Sequence, residues 1–298
     1  MLVPALRPLK MNRIIRLISF ALLAAVAPVI SAQNVVQAPA AEALLDQSYH
    51  AMYNLNFPEA FQKAEQAKVL SKDDPLPWMA EACAALFREF DRLHILRSEM
   101  FASDDAFDAR RAQSWNQSGR KEFDNAVTGA ETIAQQRLAR NKNDARALFA
   151  LVIVNGLRAD DAALIAKKNM SALGFTKTSN NYAERLLAHS PDWYDAYVAI
   201  GMGKYIIGGK AAPVRWMLRL GGFKGDQEEG VKDLTLVAER GHYLAPFARI
   251  LLAFDDLRHN NKAAARAKLT ELHAQFPGNL LFTQELAKLD HPPGNSGQ

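Results

Sequence analysis

Two glycine-rich stretches have the residue types that could cradle a phosphate. Gly201-Met202-Gly203-Lys204-Tyr205 pairs glycines with a lysine, but Tyr205 stands where a Ser or Thr would be needed to hold Mg²⁺, and the stretch falls inside a helical pattern. Gly221–Gly225 precedes a helix start, where backbone N–H groups can meet an anion. Asp226 at its mouth would repel one, and a sharp chain reversal explains these glycines more simply. The seven histidines, at positions 50, 94, 189, 242, 259, 273 and 291, include no two at metal-ligand spacing with a Glu between them on a helix. His259 and His273 fit solvated positions near a turn and a helix end. No Ser lies in a nucleophile-elbow pattern. The acidic pairs Asp104-Asp105, Asp160-Asp161, Glu228-Glu229 and Asp255-Asp256 are sequence neighbours, which point about 100° apart on a helix and so read as solvated starts and surfaces. Cys83, the one cysteine, can form neither an intramolecular disulfide nor a thiolate metal site, and within the apolar run Met79–Phe87 it reads as a small buried hydrophobe. We therefore expect no catalytic residue, no metal and no cofactor; a site split across loops would be the remaining route to an enzyme.

The elements that carry these residues must come from 298 residues, enough for one or two globular domains or a single solenoid. Apolar residues make up 49% of the chain, ample for a core. The net charge of +4 invites a nucleic-acid reading, which its distribution removes. Residues 1–32 carry Arg7, Lys10, Arg13 and Arg16 and no acid; setting those four aside from the 36 Lys and Arg leaves 32, against 32 Asp and Glu. A neutral body lacks the electrostatic footprint of a polyanion binder. Met11-Asn12-Arg13-Ile14-Ile15-Arg16 followed by the 14-residue apolar run Leu17–Ile30, interrupted only by Ser19 and Pro28, has the form of a secretory signal peptide over residues 1–32, with 1–10 as a possible upstream extension and Met11 as an alternative start. As a helix that run spans roughly 21 Å, short of a hydrocarbon core of about 30 Å. A cut before Gln33, or a later one after Ala40, would release an exported, periplasmic chain with no stable membrane insertion. The alternative is an uncleaved anchor.

Gln33–Ala40 reads as a polar, Pro-containing linker, and residues 291–298 as a disordered tail. Between them, residues 41–290 read as helix throughout. Leu44, Leu45, Ser48, Tyr49 and Met52 recur at helical steps, and Phe57-Pro58-Glu59-Ala60 opens a second helix that ends near Ser71–Pro75. A third is expected from Leu76 to Met100, a short one after Ser103-Asp104-Asp105, and another over Ser118–Leu138. The apolar run Leu148–Val154 has strand propensity, but its helical neighbours and a cap at Asp144 favour a helix over Ala145–Leu157. Asp160–Ser171 and Ser179–His189 follow as separate helices with Gly174 at the break. Pro213 opens a short helix that Gly221-Gly222 closes, and Asp226 caps Gln227–Arg240 with Glu228 and Glu229 in a favourable first turn. Trp78, Trp193 and Trp216 stand beside Pro-marked boundaries and read as wedges between helices.

The clearest unit is Pro246–Pro277: helix Phe247–Arg258, turn His259-Asn260-Asn261, helix Lys262–Gln275. Ala253, Ala265 and Pro277 are spaced by twelve and twelve, and Tyr194–Ile207 repeats the pattern with Tyr197, Ile200-Gly201 and Gly208. Small residues let helices touch while large ones fill the gaps between hairpins. These features resemble the tetratricopeptide repeat, matched more loosely by Phe57, Ala60, Ala64 and Ala67. Some 266 mature residues hold fewer than eight regular units, and we expect four to six irregular ones. Gly222-Phe223-Lys224-Gly225-Asp226 with the following Glu229-Gly230 is similar to a segment of the eukaryotic inclusion-body-clearance group of these proteins, which would imply an adaptor without chemistry of its own. The tetratricopeptide resemblance implies an all-α, irregular helical-hairpin solenoid whose concave groove takes a protein or peptide partner. By phase, that groove would be lined by Asp195, Val198, Met202, Tyr205, Phe247, Ile250, Phe254 and Arg258. The alternative function is a structural subunit of an envelope-associated complex, docked by its convex face or by the Trp216 segment.

Overall fold

The computed structural model describes residues 32–97, 110–210, 212–220, 222 and 224–290. Among them every regular element is helical. The α-helices are α1 (Ala32–Tyr53), α2 (Phe57–Leu70), α3 (Leu76–Arg92), α4 (Gln117–Arg140), α5 (Ala145–Asp160), α6 (Asn169–His189), α7 (Tyr197–Gly208), α8 (Ala212–Leu220), α9 (Gln227–Arg240), α10 (Ala245–Arg258), α11 (Lys262–Gln275) and α12 (Leu280–Asp290). A π turn, Asp161–Ile165, follows α5, and a single 3₁₀ turn, Tyr194–Ala196, leads into α7. The expected leader, the start at Ser103-Asp104-Asp105 and the tail lie outside the described residues.

Five hairpins follow one another: α1/α2, α3/α4, α5/α6, α7/α9 and α10/α11, with α12 packed on the last. The second helix of each pair also touches the first helix of the next, and α1, α3 and α5 touch in sequence. This is a helical-hairpin solenoid. Its middle is α5, buried from Ala147 to Asn155 without interruption, as expected of a helix apolar on all sides. Fully burying a side chain such as Phe149 or Leu151 contributes about 2 kcal/mol each.

Local signals account for most boundaries. Asn56, Asn116, Asp144, Asp226 and Asn261 each accept a backbone N–H of the following first turn. Leu55, His94 and Asn260 take left-handed φ values of 59°, 56° and 58°. Each is followed by a residue whose N–H reaches back over the helix end: Asn56 to Ala51, Ile95 to Phe90, Asn261 to Asp256. That cap at His94 stops α3 at Arg92, well short of the expected Met100.

Three other expectations are corrected. Residues 33–40, read as a linker, belong to α1, where alanines at 32, 38 and 40 favour helix and Pro39 is accommodated. Gly174 breaks nothing: α6 runs through it, and a side chain there would meet no atom within 4 Å. Trp216 is no wedge, being 66% exposed, whereas Trp78 lies over Gly129 and Trp193 packs on Phe149.

At its glycines, α7 comes into backbone contact with α9. A Cβ added at Gly230 would stand 2.7 Å from both the Gly201 carbonyl and the Tyr205 nitrogen. Gly230→Ala is expected to cost about 2 kcal/mol by overpacking, whereas Gly174→Ala should be neutral or stabilise by up to ~1 kcal/mol. Urea midpoints of the two variants test this contrast; equal stabilities would place the contact elsewhere.

Candidate functional site

The expected groove begins at Asp195, which the fold uses for a different purpose. Asp195 is 5% exposed, and its carboxylate accepts three backbone N–H bonds, from His242 (3.1 Å), Tyr243 (3.0 Å) and Leu244 (3.0 Å). Burial pushes its pKa up, against the three N–H donors that favour the charged form. The carboxylate thus pins the turn between α9 and α10 and aims Tyr243 inward.

Tyr243 is where the two ends of the chain meet. Its ring stacks on Tyr49 of α1, with centroids 4.8 Å apart, and lies 6.5 Å from Phe149 of α5. Its hydroxyl bonds Glu42, its carbonyl accepts the Tyr53 hydroxyl at 3.0 Å, and burial followed by Glu42 drives its pKa up. Glu42 also accepts from Arg146 Nη2 at 3.0 Å, and Arg146 grips Asp74 through Nε (3.1 Å) and Nη2 (2.7 Å). Burial opposes the Arg146 charge, but the bonds and charge of Asp74 and then Glu42 outweigh it and raise its pKa. Further along, Asn279 Nδ2 donates to the Tyr53 carbonyl (2.8 Å) and Gly278 N to Asn54 Oδ1 (2.9 Å), while Phe276 packs on Tyr53. Phe87 of α3 meets Phe247 of α10 edge-on at 5.8 Å. The inner faces of the first and last hairpins are therefore in contact.

This closure divides the eight expected groove residues. Asp195 and Val198 are buried, and Phe247 is engaged by Phe87, so none of the three faces an open groove. Met202 and Ile250 are half-buried against the core. Tyr205 donates to Asp255 Oδ1 at 2.7 Å, tying α7 to α10; burial, then Asp255, lifts its pKa to about 12. Phe254 is half-buried and Arg258 exposed. The strip that α7 and α10 leave partly accessible runs through Met202, Tyr205, Phe254 and Arg258. The closing residues Tyr243, Glu42 and Asp74 escaped sequence reasoning. Arg146 did carry a signal, being the one charge between Ala145 and Leu157.

Two further groups have altered chemistry. Cys83 is buried, 3.6 Å from the Tyr49 hydroxyl, and burial pushes its thiol up to about 12, so it stays protonated and non-nucleophilic at neutral pH. The Asp160-Asp161 pair is not the solvated pair expected. Asp161 is buried and accepts from Trp115 Nε1 (2.6 Å) and Arg120 Nη1 (2.7 Å). Asp160, as a whole residue, keeps some solvent contact, yet protein closes around its carboxylate; that enclosure, then the charge of Asp161, raises its pKa from 3.8 to about 7. The enclosure of the group, not the residue's average exposure, governs its titration. Among the described residues, no three His, Cys, Asp or Glu side chains cluster as a metal site would require.

A carboxyl whose folded-state pKa exceeds its unfolded value binds its proton better in the native state, so it costs nothing below the ordinary carboxylate range and most above about 7. Asp160→Asn should match the parent's stability near about pH 4 and exceed it at about pH 8. Denaturation across that range checks the sign, and parallel pH profiles would refute it. Asp195→Ala, which leaves three buried N–H groups without an acceptor, should cost about 3 kcal/mol or more. Asp195→Asn should recover part of that loss in the same assay. Set beside known proteins, the chain matches no protein-family model, no curated protein and no solved structure.

Proposed function

We propose that this chain is an exported helical-hairpin scaffold of the tetratricopeptide type that binds a protein or peptide partner without catalysing a reaction. The observation that carries the reading is the strip on α7 and α10. These are the first helices of consecutive hairpins, tied by Tyr205 and Asp255, and they present Met202 and Phe254 half-buried with Arg258 exposed at the end. Aromatic, Met and Arg side chains on a rigid support are the composition of an interaction surface, because they bring contact area at little ordering cost. The filled interior behind the strip keeps it pre-organised.

No helix among the described residues is long and apolar enough to cross a membrane, which fits a role outside the bilayer core. A second reading, a structural subunit of an envelope-associated complex, would need Trp216 and Leu220, which are 66% and 71% exposed, to be one part of a larger contact. Native mass of the purified protein with and without residues 209–225 separates it from the first.

The strip is tested by placing a photo-crosslinking amino acid at Phe254 or Arg258, with Val69, 64% exposed on α2, as the control. Crosslinking in an exported fraction should yield a discrete adduct from the first two positions and none from Val69. The same adducts from all three positions, or none from any, would remove the strip as the binding surface.

A further inference from the structure

The longest stretch without an acid in the folded body, residues 196–225, contains Lys204, Lys210, Arg215, Arg219 and Lys224. Lys204 is neutralised by Asp233 at 2.7 Å. Arg215, Arg219 and Lys224 are exposed, and Arg215 donates to the Gly208 carbonyl, which leaves its charge uncompensated. Lys177 of α6 also comes within 3.6 Å of the Cβ position at the Gly222 turn, so a second element brings a cation to this end. Between these cations lies α8, whose main support is α7 alone, with Val214, Trp216 and Leu220 exposed at 40%, 66% and 71%. On a helical wheel Trp216 and Leu220 share one side while Arg215 and Arg219 share another. Of the nearest acids, Asp226 caps Glu229 N and Glu229 pairs with Lys232, while Glu228 is exposed in the first turn of α9, beyond the Gly225 turn from α8.

We propose that α8 is a docking element for the surface of an anionic phospholipid bilayer, on which Trp216 and Leu220 enter the headgroup boundary while Arg215, Arg219 and Lys224 meet lipid phosphates. A short helix with an aromatic and apolar side and a cationic side has the composition of an interfacial binder, and each nearby cation adds to the attraction. The charge favours lipid over a protein here: three exposed cations flank an apolar side of only two side chains, Trp216 and Leu220, too small for a stable protein interface by itself. The helix is far too short to span, so the contact is peripheral.

The experiment is flotation of the full chain with vesicles of phosphatidylcholine, alone or mixed with phosphatidylglycerol. Binding to the anionic vesicles is expected and should fall with salt. Trp216→Ala should weaken it about tenfold, and Arg215→Gln and Arg219→Gln about fivefold each at low salt. Because Trp216 is exposed, its variant should melt with the parent. A second readout uses Leu220→Cys carrying an environment-sensitive dye; Cys83, 3% exposed, leaves labelling selective for the new position. The dye should shift to the blue on anionic vesicles. Binding that Trp216→Ala leaves unchanged, or a dye that does not shift, overturns the proposal. So does loss of the Phe254 adduct in Trp216→Ala without vesicle binding, which would assign α8 to the protein partner.

Discussion

The carboxylate of Asp195, taken up by three successive backbone N–H groups, is the constraint on which the rest of the architecture depends. It fixes a turn rather than a side chain, and that turn carries Tyr243 into the space enclosed by the hairpins. From there one residue contacts α1 through Tyr49, Tyr53 and Glu42 and α5 through Phe149. An open solenoid has contacts only between neighbouring repeats, and its stability propagates along one dimension. Here residues separated by 190, 201 and 226 positions are hydrogen-bonded, so loosening either end disturbs the other.

The ionic part of the closure acts on register more than on net stability. Arg146 between Asp74 and Glu42 has lost much of its water, and its attraction to two carboxylates largely offsets that loss. Removing one partner, however, strands a partly buried charge, so the arrangement of α1, α5 and the α2–α3 turn that satisfies all members is favoured. The aromatic contacts around Tyr243 tolerate more than one offset, whereas the bidentate grip of Arg146 on Asp74 does not.

This difference explains what could be read beforehand. Helix starts at Asn56, Asp144 and Asp226 and the turn at Asn260 are short-range matters of capping and φ, so sequence carries them openly. The apolar run of α5 and the small residues Gly201 and Ala253 likewise announce close packing. Gly174 misled because glycine's cost in a helix is about 1 kcal/mol, which tertiary packing overrides. The groove residues misled for another reason. Helical phase places Asp195, Val198 and Phe247 toward the inside of the superhelix, but phase says nothing about whether the inside is open. Whether it fills depends on Tyr243 and Glu42, whose meeting across 201 positions leaves no trace in any local pattern.

A filled interior also dictates where departures from the repeat must go. The hairpin α7/α9 is interrupted by residues 209–226, which include the apolar side chains of α8. In an open superhelix such an insertion could fold into the concavity and bury them. Here the pairs Phe87–Phe247 and Tyr49–Tyr243 already occupy it, and Gly225 crosses so near Ile207 that a Cβ would stand 2.6 Å from its side chain. The segment is turned outward, and Trp216 and Leu220 stay in water at an unfavourable free energy of about 2 kcal/mol each. The inward clamp and the outward apolar helix are therefore two results of one packing constraint: closing the ring around Tyr243 moves the unsatisfied surface of this chain to α8.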